Sequence, residues 1–285
     1  MSENNHHVAI VTDSISSMTP AMGLEYGVHV VPIHIFFGTQ AYRDGIDIDA
    51  ERFYQLLNGS EQMPTTSQPT AADFLECYSQ LAGKAQAIVS IHASKKVSAT
   101  VDSARAACRE LPDVPIHVID TRTLSMGQGL IVIAAARAAS AGKNAEEIVQ
   151  LVEGLVPRTS VLFTVETLEY LRRGGRIGGA TALLGSALKI KPVLHIADGQ
   201  VEPLEKPRTR KRAVGRLLDL MAERVSPSDQ VHAAVLHCSA LAEAERLAEQ
   251  VAARFQCAEL LIAEAGPTIG AHGGPGTLGV TFYTD

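Results

Sequence analysis

Three times in the first half of the chain, a short apolar, β-branched run gives way to a hydroxyl-rich loop and then to a helix-forming segment. Val8 to Thr12 leads into Asp13-Ser14-Ile15-Ser16-Ser17, with Thr19-Pro20 as the cap and first position of the next helix. Ala87 to Ile91 leads into Ser94-Lys95-Lys96-Val97-Ser98-Ala99-Thr100 and a helix from Val101 to Leu111, for which Ser98 is the expected N-cap. Ile116 to Ile119 leads into Asp120-Thr121-Arg122-Thr123-Leu124-Ser125, then Gly127, Gly129 and an Ala-rich helix to about Ala141. This alternation predicts an α/β fold on a parallel sheet. In such sheets ligands bind outside the carboxyl ends of the strands, where helix N-termini favour anions. The repeated placement of polar loops at one edge points to a crevice; each loop alone does not.

A fourth hydroxyl cluster, Pro64-Thr65-Thr66-Ser67-Gln68-Pro69-Thr70, lies between helices expected over Asp49 to Asn58 and Thr70 to Leu81. Prolines at both ends stiffen it and push the preceding residues towards extended conformations. Hydroxyls in such loops ordinarily serve the local backbone, and Thr70 is read as a cap. Val28 to Phe37 reads as one further strand.

The helix Ala145 to Leu155 ends at Val156-Pro157-Arg158, a linker that divides the chain into domains 1–157 and 158–285. The second part reads as α/β with a mixed sheet, because Lys191 to Ile196 and Val201 to Lys206 flank the tight-turn pair Asp198-Gly199. Around this hairpin are strands Val161 to Val165, Val231 to Cys238, Glu259 to Ala263 and Leu278 to Tyr283. Helices are expected over Thr167 to Arg173, stopped by Gly174-Gly175, over Ala180 to Leu188, from Arg208 to Val225, and over Leu241 to Phe255. Arg172 and Arg173 offset the dipole of their helix, whereas Arg176, beyond the stop, has no such role. Arg208, Arg210, Lys211 and Arg212 ordinarily make a solvated face, or they meet a phosphate or an acidic partner.

A hydrophobic fraction of 46% with 20% charged residues belongs to a folded globular chain. The net charge of -6 gives no global attraction to nucleic acid. Met1 to His7 lacks the features of a signal peptide, and no apolar run approaches the roughly 18 residues of a membrane span, so a cytoplasmic protein is expected. Cys77, Cys108, Cys238 and Cys257 have no metal-ligand spacing and read as reduced packing residues; His6 and His7 are assigned nothing. Gly274-Pro275-Gly276-Thr277-Leu278-Gly279 fits a dinucleotide fingerprint, but six residues from the end there is no room for the rest of that fold. No phosphate-loop, kinase or hydrolase-elbow motif occurs. His272, set among glycines, has little core to satisfy and stands out for that reason.

In order along the chain, seven segments resemble the DegV family of bacterial fatty-acid-binding proteins, which includes the FakB subunits of fatty acid kinase. They are Thr12-Asp13-Ser14, Thr66-Ser67-Gln68-Pro69, Val97-Ser98-Ala99-Thr100, Asp120 to Gly129, Leu168 to Ile177, Lys189 to Val193, and His272-Gly273-Gly274-Pro275-Gly276. The resemblance covers nearly the full length. It implies a two-domain α/β protein with a long-chain fatty acid of C16 to C18 between the domains and no cofactor or metal. Its carboxylate meets Thr66 and Ser98, with Arg176 and His272 close to the head group. Ser67, Thr100, Asp13 and Ser14 complete the expected ligand-binding set, and Arg173, Arg208 and Arg210 face the partner or a phosphate. The implied role is that of a carrier with no catalytic residue of its own, serving an ATP-binding kinase subunit that makes acyl phosphate for phospholipid synthesis. Transient membrane contact is left open. The chain departs from the family at Ala99, where glycine is common, and at Thr121, where serine is. Two rivals stand beside this reading: an autonomous phosphotransfer enzyme related to dihydroxyacetone kinase subunits, and a lipid-sensing regulator.

Overall fold

The computed structural model describes residues 8–60 and 62–285, with backbone alone for residues 186–189; His6 and His7 lie outside the described residues. The first part of the chain runs β1 (Val8–Asp13), α1 (Pro20–Tyr26), β2 (Val28–Val31), β3 (His34–Phe37), β4 (Gln40–Arg43), α2 (Ala50–Gly59), β5 (Thr65–Ser67), α3 (Ala71–Leu81), β6 (Ala87–His92), α4 (Thr100–Cys108), β7 (Ile116–Asp120), α5 (Met126–Ser140) and α6 (Ala145–Leu155). The second runs β8 (Ser160–Thr164), α7 (Glu169–Arg173), β9 (Val193–Ala197), β10 (Gln200–Glu205), α8 (Arg210–Ala222), β11 (Val231–His237), α9 (Leu241–Arg254), β12 (Cys257–Glu264), α10 (Pro267–Gly273) and β13 (Leu278–Thr284).

Strands β2, β1, β6 and β7 form a parallel sheet in that order, and β10, β9, β8, β13, β11 and β12 form a mixed one. The fold is therefore α/β in two domains. Local chemistry sets the helix ends as read from the sequence. Thr19 accepts a hydrogen bond from Met22 N, with Pro20 at the first position. Asp49 accepts one from Arg52 N, and Thr70 and Asp73 close a capping box.

Two expectations are corrected here. Val28 to Phe37 is not one strand: Pro32 has no N–H to donate to a ladder, and the chain breaks there into β2 and β3, which join different sheets. The stretch around Thr66 is not merely a stiffened loop, since β5 pairs with β3, Thr66 opposite Ile35, in a third sheet of order β4-β3-β5. Further on, the helix expected over Ala180 to Leu188 is a 3-10 helix, Gly178–Lys189, in a segment that Gly178, Gly179 and Gly185 weaken for α-helix formation.

Helix α5 locks the two parts together. It is buried from Met126 to Ile133 and again at Ala135 and Ala136, so it presents apolar surface all round. It packs on β1 and β6 of one sheet and on β11 and β13 of the other. One core accordingly runs from Ile10 and Val89 through Leu130 and Ile133 to Ala234, Leu236 and Tyr283. Outer layers of α3 and α4 on one side and α8 and α9 on the other close the molecule.

Candidate functional site

A cavity opens beside the N-terminal end of α5, between the two sheets. It offers about 100 Å³ to the centre of a water-sized sphere, against about 10–15 Å³ for a single water. Most of its wall is apolar: Ile15, Leu124 and Met126 from the first domain, Phe163, Leu236 and Val280 from the second. A few polar side chains interrupt that wall, and four of them, Thr66, Ser98, Arg176 and His272, are expected site residues.

Two of these four bond to each other, and Arg176 reaches the loop that carries the fourth, Ser98. Thr66 Oγ1 and His272 Nε2, 206 residues apart, share a hydrogen bond of 2.8 Å. His272 lies in the last turn of α10, a short helix hidden in the sequence by its glycines, with Pro267 in its first turn. Burial first, and the Arg176 charge second, push the His272 imidazole down to about 4, so it is neutral at neutral pH. Its Nδ1 is buried with no hydrogen-bond partner among the described residues. The ring sits against Gly174, where an added Cβ would lie 2.2 Å from Nδ1, so the glycine after α7 is what admits the imidazole. Arg176 Nε donates to the Val97 carbonyl at 3.0 Å, and its NH1 donates to the Gly174 carbonyl at 2.8 Å. Arg176 therefore straps the end of α7 to the loop carrying Ser98.

Ser98 is not the N-cap of α4. Ala99 holds that position without a side-chain bond, and the Ser98 hydroxyl instead lies 2.7 Å from Thr100 Oγ1 at the cavity wall. The departure to alanine at position 99 leaves that pair intact.

The remaining expected residues lie off the cavity. Asp13 is fully buried: its carboxylate accepts from Ile15 N at 3.0 Å and Gln128 Nε2 at 3.1 Å, and meets His92 Nδ1 at 2.8 Å. His92 continues to Ser90 and Ser90 to Tyr78, each at 2.7 Å. Ser14 donates to Asp44 at 2.9 Å and accepts from Ile33 N at 3.0 Å. Asp44 also accepts from the backbone and hydroxyl of Thr268, which ties it to α10, and burial pushes its carboxyl up to about 6. Asp13 and Ser14 are thus committed to internal bonds and have nothing left for a ligand. Thr100 stands behind Ser98, and the Ser67 hydroxyl turns to the Gln68 carbonyl. Arg173 pairs with Glu169, and Arg210 with Glu243 and Glu166. Arg208 lines a separate surface recess with Lys206, Arg212 and Arg216. Gln68, Ser125, Thr268, Thr277 and Thr281 were not anticipated as wall residues; Gln68 and Ser125, each in a hydroxyl loop, carried a signal. Among the described residues there is no cluster of three or more His, Cys, Asp or Glu fit for a metal, and no helix long and apolar enough to cross a membrane.

The profile of the family described as "Uncharacterised protein, DegV family" matches residues 7–285. The chain belongs to the DegV family. A DegV domain-containing protein of Streptomyces coelicolor is 43% identical over 279 residues, covering 97% of this chain and 98% of that one. Two solved DegV structures share the whole fold. One, reporting fatty acid binding by a DegV family protein from Thermus thermophilus, aligns with a TM-score of 0.93 at 34% identity over 98% of this chain and all of that one. The other, DegV from Bacillus subtilis, a fatty acid binding protein, aligns at 0.91 and 32% identity over the same shares.

Proposed function

We propose that this DegV protein binds a long-chain fatty acid, with its acyl tail in the cavity and its carboxylate against Thr66 and Ser98. The observation that carries this is an apolar cavity ending in two hydroxyls, each with a polar group behind it: His272 behind Thr66, Thr100 behind Ser98. Fatty acid binding by the Thermus and Bacillus relatives supports it.

In the tautomer of neutral His272 that carries its proton on Nε2, that nitrogen donates to Thr66 Oγ1 and turns the single Thr66 proton towards the carboxylate. The paired Thr100 orients Ser98 in the same way. Neutral donors hold the carboxylate while leaving an oxygen nucleophilic, where a close bidentate arginine would quench it. That suits a carrier whose ligand attacks the terminal phosphorus of ATP held by a kinase partner: a carboxylate oxygen bonds to phosphorus, the bond to ADP breaks, and acyl phosphate results. In this reading residues 1–157 supply the hydroxyls and residues 158–285 enclose most of the tail. His272 is a positioning residue acting through Thr66, and Arg176 brings positive charge to the end where the product gains negative charge. Unchanged affinity of His272→Ala for both the acid and its acyl phosphate overturns that assignment.

Burying about 14 methylenes at ~0.8 kcal/mol each gives on the order of 11 kcal/mol before the costs of association, enough for the acid to survive purification. Denatured extracts of protein expressed in bacteria are expected to release a stoichiometric C16 to C18 acid by mass spectrometry; their absence overturns the proposal. ATP turnover is expected only when a kinase partner is added. Turnover by the chain alone favours the autonomous enzyme.

A further inference from the structure

The acyl-chain cavity is not uniformly apolar beyond the head-group end. Thr281 lines it from β13, 2% exposed, and its Oγ1 has no hydrogen-bond partner among the described residues. Thr123, 4% exposed, also has an unpartnered Oγ1 and lies just before α5. Both hydroxyls converge on the first turn of that helix: a Cβ added to Gly127 would stand 2.6 Å from Thr123 Oγ1 and 3.4 Å from Thr281 Oγ1. Ser125 and Met126, at the same helix end, are wall residues too.

Two unsatisfied hydroxyls, Thr281 in the cavity wall and Thr123 behind it, are costly, because a buried donor without an acceptor loses its hydration and gains nothing. Valine has nearly the shape of threonine and would line such a wall without that loss. A plain polymethylene chain leaves the Thr281 hydroxyl unmatched, whereas an oxygen on the chain at this level accepts from it.

We propose that Thr281, with Thr123 behind it, forms a second polar subsite in the cavity that selects fatty acids carrying a hydroxyl on the acyl chain. This rests on the acyl-chain reading of the cavity. It adds to that reading the class of chain preferred, and it assigns a residue from the second domain to specificity.

The test uses full-length protein stripped of lipid, titrated with octadecanoic acid and with octadecanoic acids hydroxylated at successive positions along the chain. One narrow range of positions is expected to bind at least tenfold tighter than the parent acid. Thr281→Val, nearly isosteric, is expected to erase that preference while leaving the parent acid bound as well or better; Thr123→Val is expected to do so in part. The proposal is overturned if no hydroxylated isomer exceeds the parent, or if the preference survives in Thr281→Val. The first result would mean the hydroxyls serve a bridging water, the second that another group in the wall reads the oxygen on the chain. Failure of octadecanoic acid itself to bind sinks the fatty-acid reading instead, and the two failures are distinct in the same titration. Urea midpoints of both variants confirm that folding is retained.

Discussion

Two histidines in this protein sit in buried polar clusters, and the clusters differ in how fully their atoms are matched. His92 is bonded at both nitrogens, to Asp13 and Ser90, inside a chain that reaches Gln128 at one end and Tyr78 at the other, with every member at 0% exposure. His272 is bonded at one nitrogen only, to Thr66, and that pair borders the cavity. The first cluster links Ser90, His92 and Asp13 and resembles a catalytic relay on paper, yet none of its members lines the cavity. The second is sparser and leaves groups for a ligand. A saturated network holds the fold together; a site is recognised by what its groups have not yet bonded.

The largest way to break this comparison is Asp13→Ala. It leaves His92 Nδ1 and the backbone amides of Ile15 and Ala93 without their carboxylate, and a loss of about 3–5 kcal/mol is expected in urea unfolding, with fatty acid binding lost only as the protein unfolds. A variant that stays stable but no longer binds would make Asp13 part of the site.

Next in size is a pH effect. His272 is held down to about 4, so its contribution is full above the ordinary value near 6.5 and is lost as pH falls towards 4. Asp44 is held up to about 6 and works the other way, contributing below its ordinary value near 3.8 and losing that as pH rises through 6. Each amounts to about 3 kcal/mol across its window. The two oppose each other in the native protein. His272→Gln is therefore expected to gain stability relative to the native chain between pH 6.5 and 4, and Asp44→Asn to lose it, by denaturant midpoints at stepped pH.

Thr66→Val sharpens the functional side. It removes a hydrogen bond to a charged group, worth about 1.5–3 kcal/mol, so acid affinity is expected to fall roughly 10–100-fold, with a smaller loss of stability, about 1 kcal/mol, from the His272 nitrogen left without its partner. An equal loss of stability and affinity would place Thr66 with the structural network. Smallest is Arg173→Ala, which breaks an exposed ion pair with Glu169 and is expected to cost less than ~1 kcal/mol and leave acid binding unchanged by calorimetry.

Local chemistry made much of the fold legible. The β-branched runs, the Thr19-Pro20 start and the caps at Asp49 and Thr70 act within a few residues, so the α/β order could be read directly. β5 could not, because three residues acquire strand character only by pairing with β3. The hydroxyl loops announced a polar edge but not its division of labour. Ser14 and Ser98 look alike in sequence, and only the arrival of Asp44 at one and the cavity at the other separates them. The Thr66 to His272 contact spans 206 positions and had no local signature. The resemblance placed both residues near one head group but did not give the bond between them. Thr281 carried no signal because its meaning lies in a partner it lacks.

The all-round burial of α5 also limits how a ligand gets in. Parting either sheet from this helix would bring side chains such as Leu130, Ile131 and Ile133 into water at roughly 1.5–3 kcal/mol apiece, a large share of what keeps a domain folded. A clamshell hinge between the two halves is thereby ruled out as a routine motion. In the proposed reading, exchange of an acyl chain runs through small displacements at the rim, with the central helix as a fixed keel.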